Sequence, residues 1–267
     1  MNDAGERQQA ILELAREQQR VTVDALAARF SVSVQTIRKD LNQLCDQRLL
    51  TRTHGGAMLP SGVENLQYEA RRRIAAPEKE AIGRAAAALI PNDASLFINI
   101  GTTTEAVSEG LLDHSSLLVV TNNINVANRM RIYPGFEVVI AGGVVRGSDG
   151  GVVGEAAADF FSQFKVDYAV IGASALDEEG ALLDFDYREV KVAQSIIANA
   201  RHVILVADQN KFQRSAPVRI ARIDQIGTFV TDHCPSAAFR QICSSAGVEL
   251  LETAAPHANS TLTRSAL

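Results

Sequence analysis

Six short runs of Val, Ile, Leu and Phe, each ending in small or polar residues, punctuate residues 95–232. "SLFINI" runs into Gly101, "SLLVV" into Thr121-Asn122-Asn123, and "EVVIA" into Gly142-Gly143. "DYAVIGAS", "HVILVAD" and "IGTFVTD" continue the series, and none alternates cleanly between apolar and polar residues. A strand solvated on one face must alternate, whereas a strand covered on both faces reads as an unbroken apolar run. Such runs therefore indicate a mainly parallel sheet between layers of helices. Helical segments such as "YREVKVAQSIIANA" lie between several of them, so residues 77–252 are expected to form an α/β domain.

Residues 1–60 follow another pattern. From Glu6 to Arg16, Ile11, Leu14 and Ala15 recur at helical spacing. Thr22 is placed to cap a short second helix carrying Leu26, Ala27 and Phe30 on one side. "SVS" then breaks the pattern, and Ser33 can cap a third helix. In "VQTIRKDLNQL" the 3.6-residue period puts Val34, Ile37, Leu41 and Leu44 on one face. Gln35, Arg38, Lys39 and Asn42 point away from it, with Thr36 at the edge. Gln and Asn can pair with adenine edges in a major groove, Arg with guanine, and Ser, Thr and Lys can hold phosphates. "LLTRTHGGAML" reads as a hairpin turning at Gly55-Gly56, which puts Arg52 and His54 within reach of a DNA backbone or minor groove. Three helices and a wing make a winged helix-turn-helix, with residues 21–40 as the two-helix motif. The same third helix, taken alone, also fits any amphipathic helix with a solvated face.

Charge agrees with this division. Residues 1–60 hold eight Lys/Arg against seven Asp/Glu, whereas the rest holds eighteen against twenty-four, so a slightly basic head sits on an acidic body. Residues 61–76 read as a linker, with Pro60-Ser61-Gly62 ahead of a basic run from Arg71 to Arg73. Pro77 fits the first turn of the next helix, with Glu78 and Glu80 near its positive end. Residues 253–267, small and polar without periodicity, are expected to be disordered. No run of eighteen apolar residues exists and the N-terminus has acids and amides where a signal peptide needs cations, so a cytoplasmic protein without a membrane span is expected. Cys45, Cys234 and Cys243 form no CxxC pair and are odd in number, which argues against a disulfide framework and a Cys-rich metal site. No metal or cofactor is expected.

The stretch "VTVDALAARFSVSVQTIRKDLNQLCDQRLLTRTHGGA" resembles the N-terminal domain of the DeoR family of transcriptional regulators. The family pattern "S.S..TIR.DL..L...G.L...HGGA" is met by Ser31, Ser33, Thr36, Ile37, Arg38, Asp40, Leu41, Leu44 and His54-Gly55-Gly56-Ala57. One departure is Arg48, where many members have Gly between helix and wing; it touches turn geometry rather than the assignment. The resemblance runs on to about Glu252. It implies operator DNA as partner and a homo-oligomer, dimer or tetramer, as the binding form, with Ser33, Gln35, Thr36, Arg38, Lys39, Asn42, Arg52 and His54, placed by the helix and hairpin pattern above, as the expected DNA contacts.

In the larger domain, "FINIGTTTEAVSEGL" is a strand ending in Gly101 and then a helix opening with Thr102, Thr103 and Thr104. Unpaired N–H groups and the helix dipole favour anions there, and Gly101 lets a ligand approach the backbone. The Lys of a nucleotide-hydrolysing loop is missing. The segment equally fits a capped turn without a ligand. Loops beyond other strand ends bring Thr121, Asn122, Asn123, Gly142, Gly143 and Gly172 toward the same edge of an open sheet. "LLDFDYREVK" adds Asp184, Asp186, Tyr187, Arg188, Glu189 and Lys191, and "ADQNKF" adds Asp208 and Lys211. Lys211 can pair with phosphate and the carboxylates can hold hydroxyls, but Asp184 and Asp186 also suit helix caps and Glu189 and Lys191 a solvated face.

The resemblance implies a C-terminal domain with a fold related to ribose-5-phosphate isomerase, sensing a phosphorylated sugar or polyol. The "DFDY.EV" run is most like the branch of the family that responds to glycerol 3-phosphate, which makes sn-glycerol 3-phosphate the first choice of effector. The alternatives are another sugar phosphate, or a sugar-phosphate isomerase or deaminase drawing an acid–base pair from Asp184, Glu189 or Lys211. Against an enzyme, His114, His202, His233 and His257 fall at helix ends, strand starts or the tail, and no catalytic His is well placed.

Overall fold

A computed structural model describes residues 4–18, 20–47, 49–53, 55–58 and 68–253. The chain divides into two compact units, residues 1–74 and 75–267.

In the first unit, α1 (Ala4–Gln18), α2 (Val23–Phe30) and α3 (Val34–Asp46) pack around Ile11, Leu14, Val23, Leu26, Ile37, Leu41 and Leu44. Thr22 caps α2, its hydroxyl accepting from the Ala25 amide at 3.4 Å. Ser31 takes the left-handed conformation that stops α2, and Ser33 caps α3 by accepting from the Thr36 amide at 3.1 Å. A left-handed backbone at Ser31 and a hydroxyl cap at Ser33, the two ends of a three-residue break, explain why one helix stops and another starts.

The buried face of α3 differs from expectation at one position. Val34 is 37% exposed, while Asp40 is buried. At 100° per residue, Ile37, Asp40, Leu41 and Leu44 share a face that leaves Val34 about 70° from its centre and one turn too early to be covered. Asp40 is admitted because Arg7 of α1 meets it, Nε to Oδ2 at 2.6 Å.

The wing consists of β2 (Thr51–Thr53) and β3 (Gly56–Met58), antiparallel, with Thr51 opposite Met58. A third strand not expected from the sequence, β1 (Arg20–Thr22), pairs with the other side of β3. Gly56 is required there, because a Cβ would sit 2.0 Å from the Val21 carbonyl oxygen. Arg48 and His54 lie outside the described residues, as do 61–67 of the expected linker and all of the expected disordered tail but Thr253. Where the linker is described it is not irregular: Tyr68–Arg73 form a short helix, α4.

The second unit is a seven-stranded parallel sheet. In chain order its strands are β4 (Ser95–Ile98), β5 (Leu117–Thr121), β6 (Phe136–Ile140), β9 (Val166–Ile171), β12 (Ala200–Val206), β14 (Thr228–Thr231) and β15 (Glu249–Glu252). Their spatial order is β15-β14-β12-β9-β4-β5-β6, and every neighbouring pair is parallel. Side chains alternate between two cores. Leu96, Ile98, Val119, Val170, Ile204, Val206 and Val230 pack under α5 (Ala76–Ala87), α6 (Thr102–Gly110) and α7 (Ile124–Met130). Phe97, Val120, Ala169, Ile171, Val203, Leu205 and Phe229 meet α8 (Glu155–Phe161), α9 (Tyr187–Ala198) and α10 (Ala237–Ala246) on the other face. Helices on both faces are why the strands read as unbroken apolar runs.

Beyond the sheet, β7 (Val144–Val145) and β8 (Val152–Val153) form a hairpin. A small antiparallel sheet joins β10 (Ala175–Leu176), β11 (Ala181–Asp184) and β13 (Val218–Arg222). Strand order reverses between β4 and β9, the first and fourth strands of the large sheet, so the helices after them depart in opposite directions and open a crevice past their C-terminal ends. Among the described residues no helix is long and apolar enough to cross a membrane.

Candidate functional site

The outward face of α3 is built as the sequence suggests. Gln35, Arg38, Lys39 and Asn42 are all exposed, in an arc of about 100° pointing away from the buried face. Ser33 is exposed and Thr36 half-buried, their hydroxyls 2.9 Å apart, which fixes the first turn of the helix. Arg52 is exposed on β2. The arrangement offers amides and cations together on one surface, with a basic side chain on the wing beside the same helical unit.

In the second unit, the C-terminal ends of β4, β5, β6, β9 and β12 share one edge, and the loops there carry most of the expected ligand residues. At the switch point, Gly101 is the N-cap of α6 with φ +151 and contributes no side-chain cap. The first helical amide to find a helical partner is that of Glu105, bonding the Gly101 carbonyl at 3.0 Å. The amides of Thr102 to Thr104 are thus presented with the dipole behind them. Gly172, after β9, lies across from them, an added Cβ there reaching Thr104 Cγ2 at 3.7 Å.

Several residues expected to face a ligand are instead spent on holding the site together. Thr104 is fully buried, and its hydroxyl donates to the carbonyls of Asn99 at 2.7 Å and Gly101 at 2.8 Å. Thr121 donates to the Ile98 carbonyl at 2.6 Å and accepts from the Asn123 amide. Asn123 caps α7 and donates its side-chain amide to Glu105 at 3.0 Å. Asn122 donates to the Val152 carbonyl at 3.0 Å, while its buried Oδ1 has no hydrogen-bond partner among the described residues. Asp184 is buried and accepts from the Phe185 amide at 2.6 Å. Asp186 caps α9, as one of its two sequence readings allowed. Gly142, Gly143 and Tyr187 are exposed. Lys211 is half-buried in the turn Gln209–Gln213, which Asp208 caps.

The residue that sequence reasoning missed is Arg146, at the end of β7. Its guanidinium meets Asp149 at 2.6 Å, Glu189 at 2.6 Å and Asp186 at 3.3 Å. Burial works against its charge, but the hydrogen bonds it donates to Asp149 and the charge of Glu189 outweigh it and hold Arg146 more firmly protonated than usual. Asp186 is held below the ordinary carboxylate range, chiefly by Arg188. Glu189 is therefore a buried ion-pair partner, not part of a solvated face; Lys191 pairs with Glu155 at the surface. The carbonyl of Asp149 accepts from Asn125, whose amide also reaches Glu105 at 3.0 Å. A polar chain so runs from α6 through α7 and the β7–β8 hairpin to the start of α9. The sequence marks Asn123, Asp186 and Glu189 as candidates but gives no local sign that Arg146, three residues after Gly143, joins them.

Among the described residues no group of three His, Cys, Asp or Glu is arranged to hold a metal ion.

Residues 7–63 match the DeoR-like helix-turn-helix domain, and residues 74–233 match the DeoR C terminal sensor domain. The chain is 45% identical over 245 residues to the glycerol-3-phosphate regulon repressor of Escherichia coli (strain K12), covering 92% of this chain and 97% of that protein. Against the repressor of the same name in Haemophilus influenzae it is 45% identical over 229 residues, 86% of this chain and 89% of that one. The HTH-type transcriptional repressor CsqR of Escherichia coli is 38% identical over 245 residues, 92% of this chain and 94% of its own length. Among solved structures, ribose 5-phosphate isomerase from Plasmodium falciparum superposes with a TM-score of 0.37 at 11% identity, over 50% of this chain and 52% of that one, a likeness too slight to build on.

Proposed function

Because the chain belongs to the DeoR family and is a transcriptional repressor rather than an enzyme, we propose that it binds operator DNA through α3 and the wing and is released by a phosphorylated small molecule, sn-glycerol 3-phosphate first. Gln35, Arg38, Lys39 and Asn42 meet the major groove, Ser33 and Thr36 hold phosphate at the start of α3, and Arg52 and His54 follow the backbone. A homo-oligomer, dimer or tetramer, presents two heads to two half-sites. Its place of action is the cytoplasm.

The observation that carries the effector reading is the N-terminus of α6. Three successive amides, uncapped by any side chain from Gly101, lie at the switch point of an open parallel sheet, the geometry that binds phosphate elsewhere. Thr102 and Thr103 remain as hydroxyl donors, since Thr104 is committed to the backbone. Lys211 adds positive charge from the end of β12. The Asn122 Oδ1 is left to accept from a hydroxyl of the polyol, with Tyr187 and the Gly142-Gly143 loop at the rim, while Asp184, Asp186 and Glu189, bound to backbone amides and arginines, brace the wall behind it. Two relatives at 45% identity carry glycerol 3-phosphate in their names, which supports it over other phosphosugars.

Effector and operator must each weaken the other's binding by the same factor. A thermal-unfolding panel tests the assignment: glycerol 3-phosphate, glycerol, fructose 1-phosphate, glucosamine 6-phosphate, ribose 5-phosphate and inorganic phosphate. A ligand at a hundred times its Kd adds about 2.7 kcal/mol. Glycerol 3-phosphate alone should raise the midpoint; a response to another phosphosugar moves the specificity, and a silent panel removes the effector site.

A further inference from the structure

The two family matches end at residue 63 and begin at residue 74, so α4, Tyr68–Arg73, falls in neither. Its last three residues are Arg71, Arg72 and Arg73, three cations in a six-residue helix. Arg71 is half-buried. Arg72 and Arg73 are exposed, and among the described residues neither has a hydrogen-bond or ion-pair partner. Acidic residues outnumber basic ones in the chain as a whole, and Glu69 stands in the same helix, so two adjacent exposed arginines with no ion-pair partner among the described residues are conspicuous. Helix α4 belongs to the same compact unit as the helix-turn-helix.

Ten residue steps join Met58 at the end of the wing to Tyr68, which covalent geometry limits to about 35 Å. That is roughly the rise of ten base pairs at 3.4 Å each, or one turn of duplex. The tether thus allows α4 a position over phosphates up to about one turn from the wing. The guanidinium fork matches the phosphate oxygens, and DNA would relieve the mutual repulsion of the arginines.

We propose that Arg72 and Arg73 bind backbone phosphates of the operator flanking the helix-turn-helix footprint, a sequence-independent second DNA contact. The proposal rests on the reading of the chain as a DNA-binding repressor.

The test is the salt dependence of DNA binding by the full chain. Affinities for operator and for a scrambled duplex are measured between 50 and 200 mM salt for the native protein and for Arg72→Gln/Arg73→Gln. Each phosphate contact contributes about 0.9 to the slope of log affinity against log salt. The double variant should lose about 1.8 from that slope on both duplexes, while Arg72→Lys/Arg73→Lys keeps the native slope. An unchanged slope for the Gln variant, with or without a lowered melting temperature, overturns the proposal and leaves the arginines as stabilisers of the α4 C-terminus. An equal loss in the Lys variant overturns it too, since charge is then not what matters. Arg38→Ala in the same assay separates the readings: if it erases operator preference while the Gln variant keeps its slope, α3 reads DNA and α4 does not.

Discussion

Arg7 of α1 and Asp40 of α3 form a buried ion pair, Nε to Oδ2 at 2.6 Å and Nη2 to Oδ1 at 3.2 Å, on the side of α3 away from its exposed polar face. Gln8 donates to the same carboxylate at 3.3 Å. The pair fixes how α3 is rotated, and hence which residues it exposes. Removing one partner strands a buried charge, so Asp40→Ala should cost about 3–5 kcal/mol in urea unfolding. Arg7→Met/Asp40→Leu should recover much of that. If the single variant unfolds like the native protein, the pair does not hold α1 to α3.

Arg38 stands mid-helix on the exposed face of α3. Should it read a guanine, Arg38→Ala costs about 1–3 kcal/mol on the operator and relaxes preference at one base position. Binding titrations on operator and on single-base variants decide this. An equal loss on every duplex would mark Arg38 as a phosphate contact.

Gly101 has φ +151, and a Cβ there would lie 3.2 Å from Thr104 Oγ1, which is already tied to two carbonyls. Gly101→Ala is expected to lower stability by about 1–3 kcal/mol through backbone strain and to abolish the effector's effect on the melting temperature. Native-like effector binding in this variant would move the site away from the α6 N-terminus.

Glu252 closes the last strand. Arg240 holds its carboxylate at 2.6 and 2.7 Å, and the Cys234 amide and His233 add to it. Its pKa is lowered from 4.5 to about 2, first by the Arg240 hydrogen bonds. A depressed carboxylate contributes stability in full above its unfolded value, and loses it as pH falls through its folded value. The gap in stability between native protein and Glu252→Gln should therefore be widest above about pH 4.5 and close toward pH 2. With the side chain partly in water, about 1–2 kcal/mol is expected at neutral pH. A gap that does not change with pH would show that the charge of Glu252 is not what stabilises β15.

The six apolar runs found from sequence all became sheet strands; five are interior to the sheet, where burial on both faces leaves a dense local signature, and β6 is an edge strand only partly covered on each face. The seventh, "ELLE" at β15, is an edge strand with exposed glutamates at both ends and reads as polar. The two-residue strands β7, β8 and β10 are too short for any period to show. The N-terminal caps were legible for a local reason, since Thr22 and Ser33 bond amides three residues on. Asp40 was not, because what buries it is Arg7, thirty-three residues away. Arg146 escaped for the same reason, its carboxylates coming from its own loop and from the start of α9, forty residues on. The glycines, threonines and carboxylates at the strand ends were placed near one another by topology. Which of them would be used up in mutual hydrogen bonds depends on three-dimensional packing.

The most direct measurement is release of operator by effector. Labelled operator duplex bound to the full chain is titrated with sn-glycerol 3-phosphate, with glycerol and inorganic phosphate as controls, and followed by fluorescence anisotropy. Anisotropy should fall to the free-DNA value with glycerol 3-phosphate alone, and the reciprocal measurement should show operator weakening effector binding by the same factor. A protein that stays on its operator through all three titrations would contradict the account of an effector-released repressor.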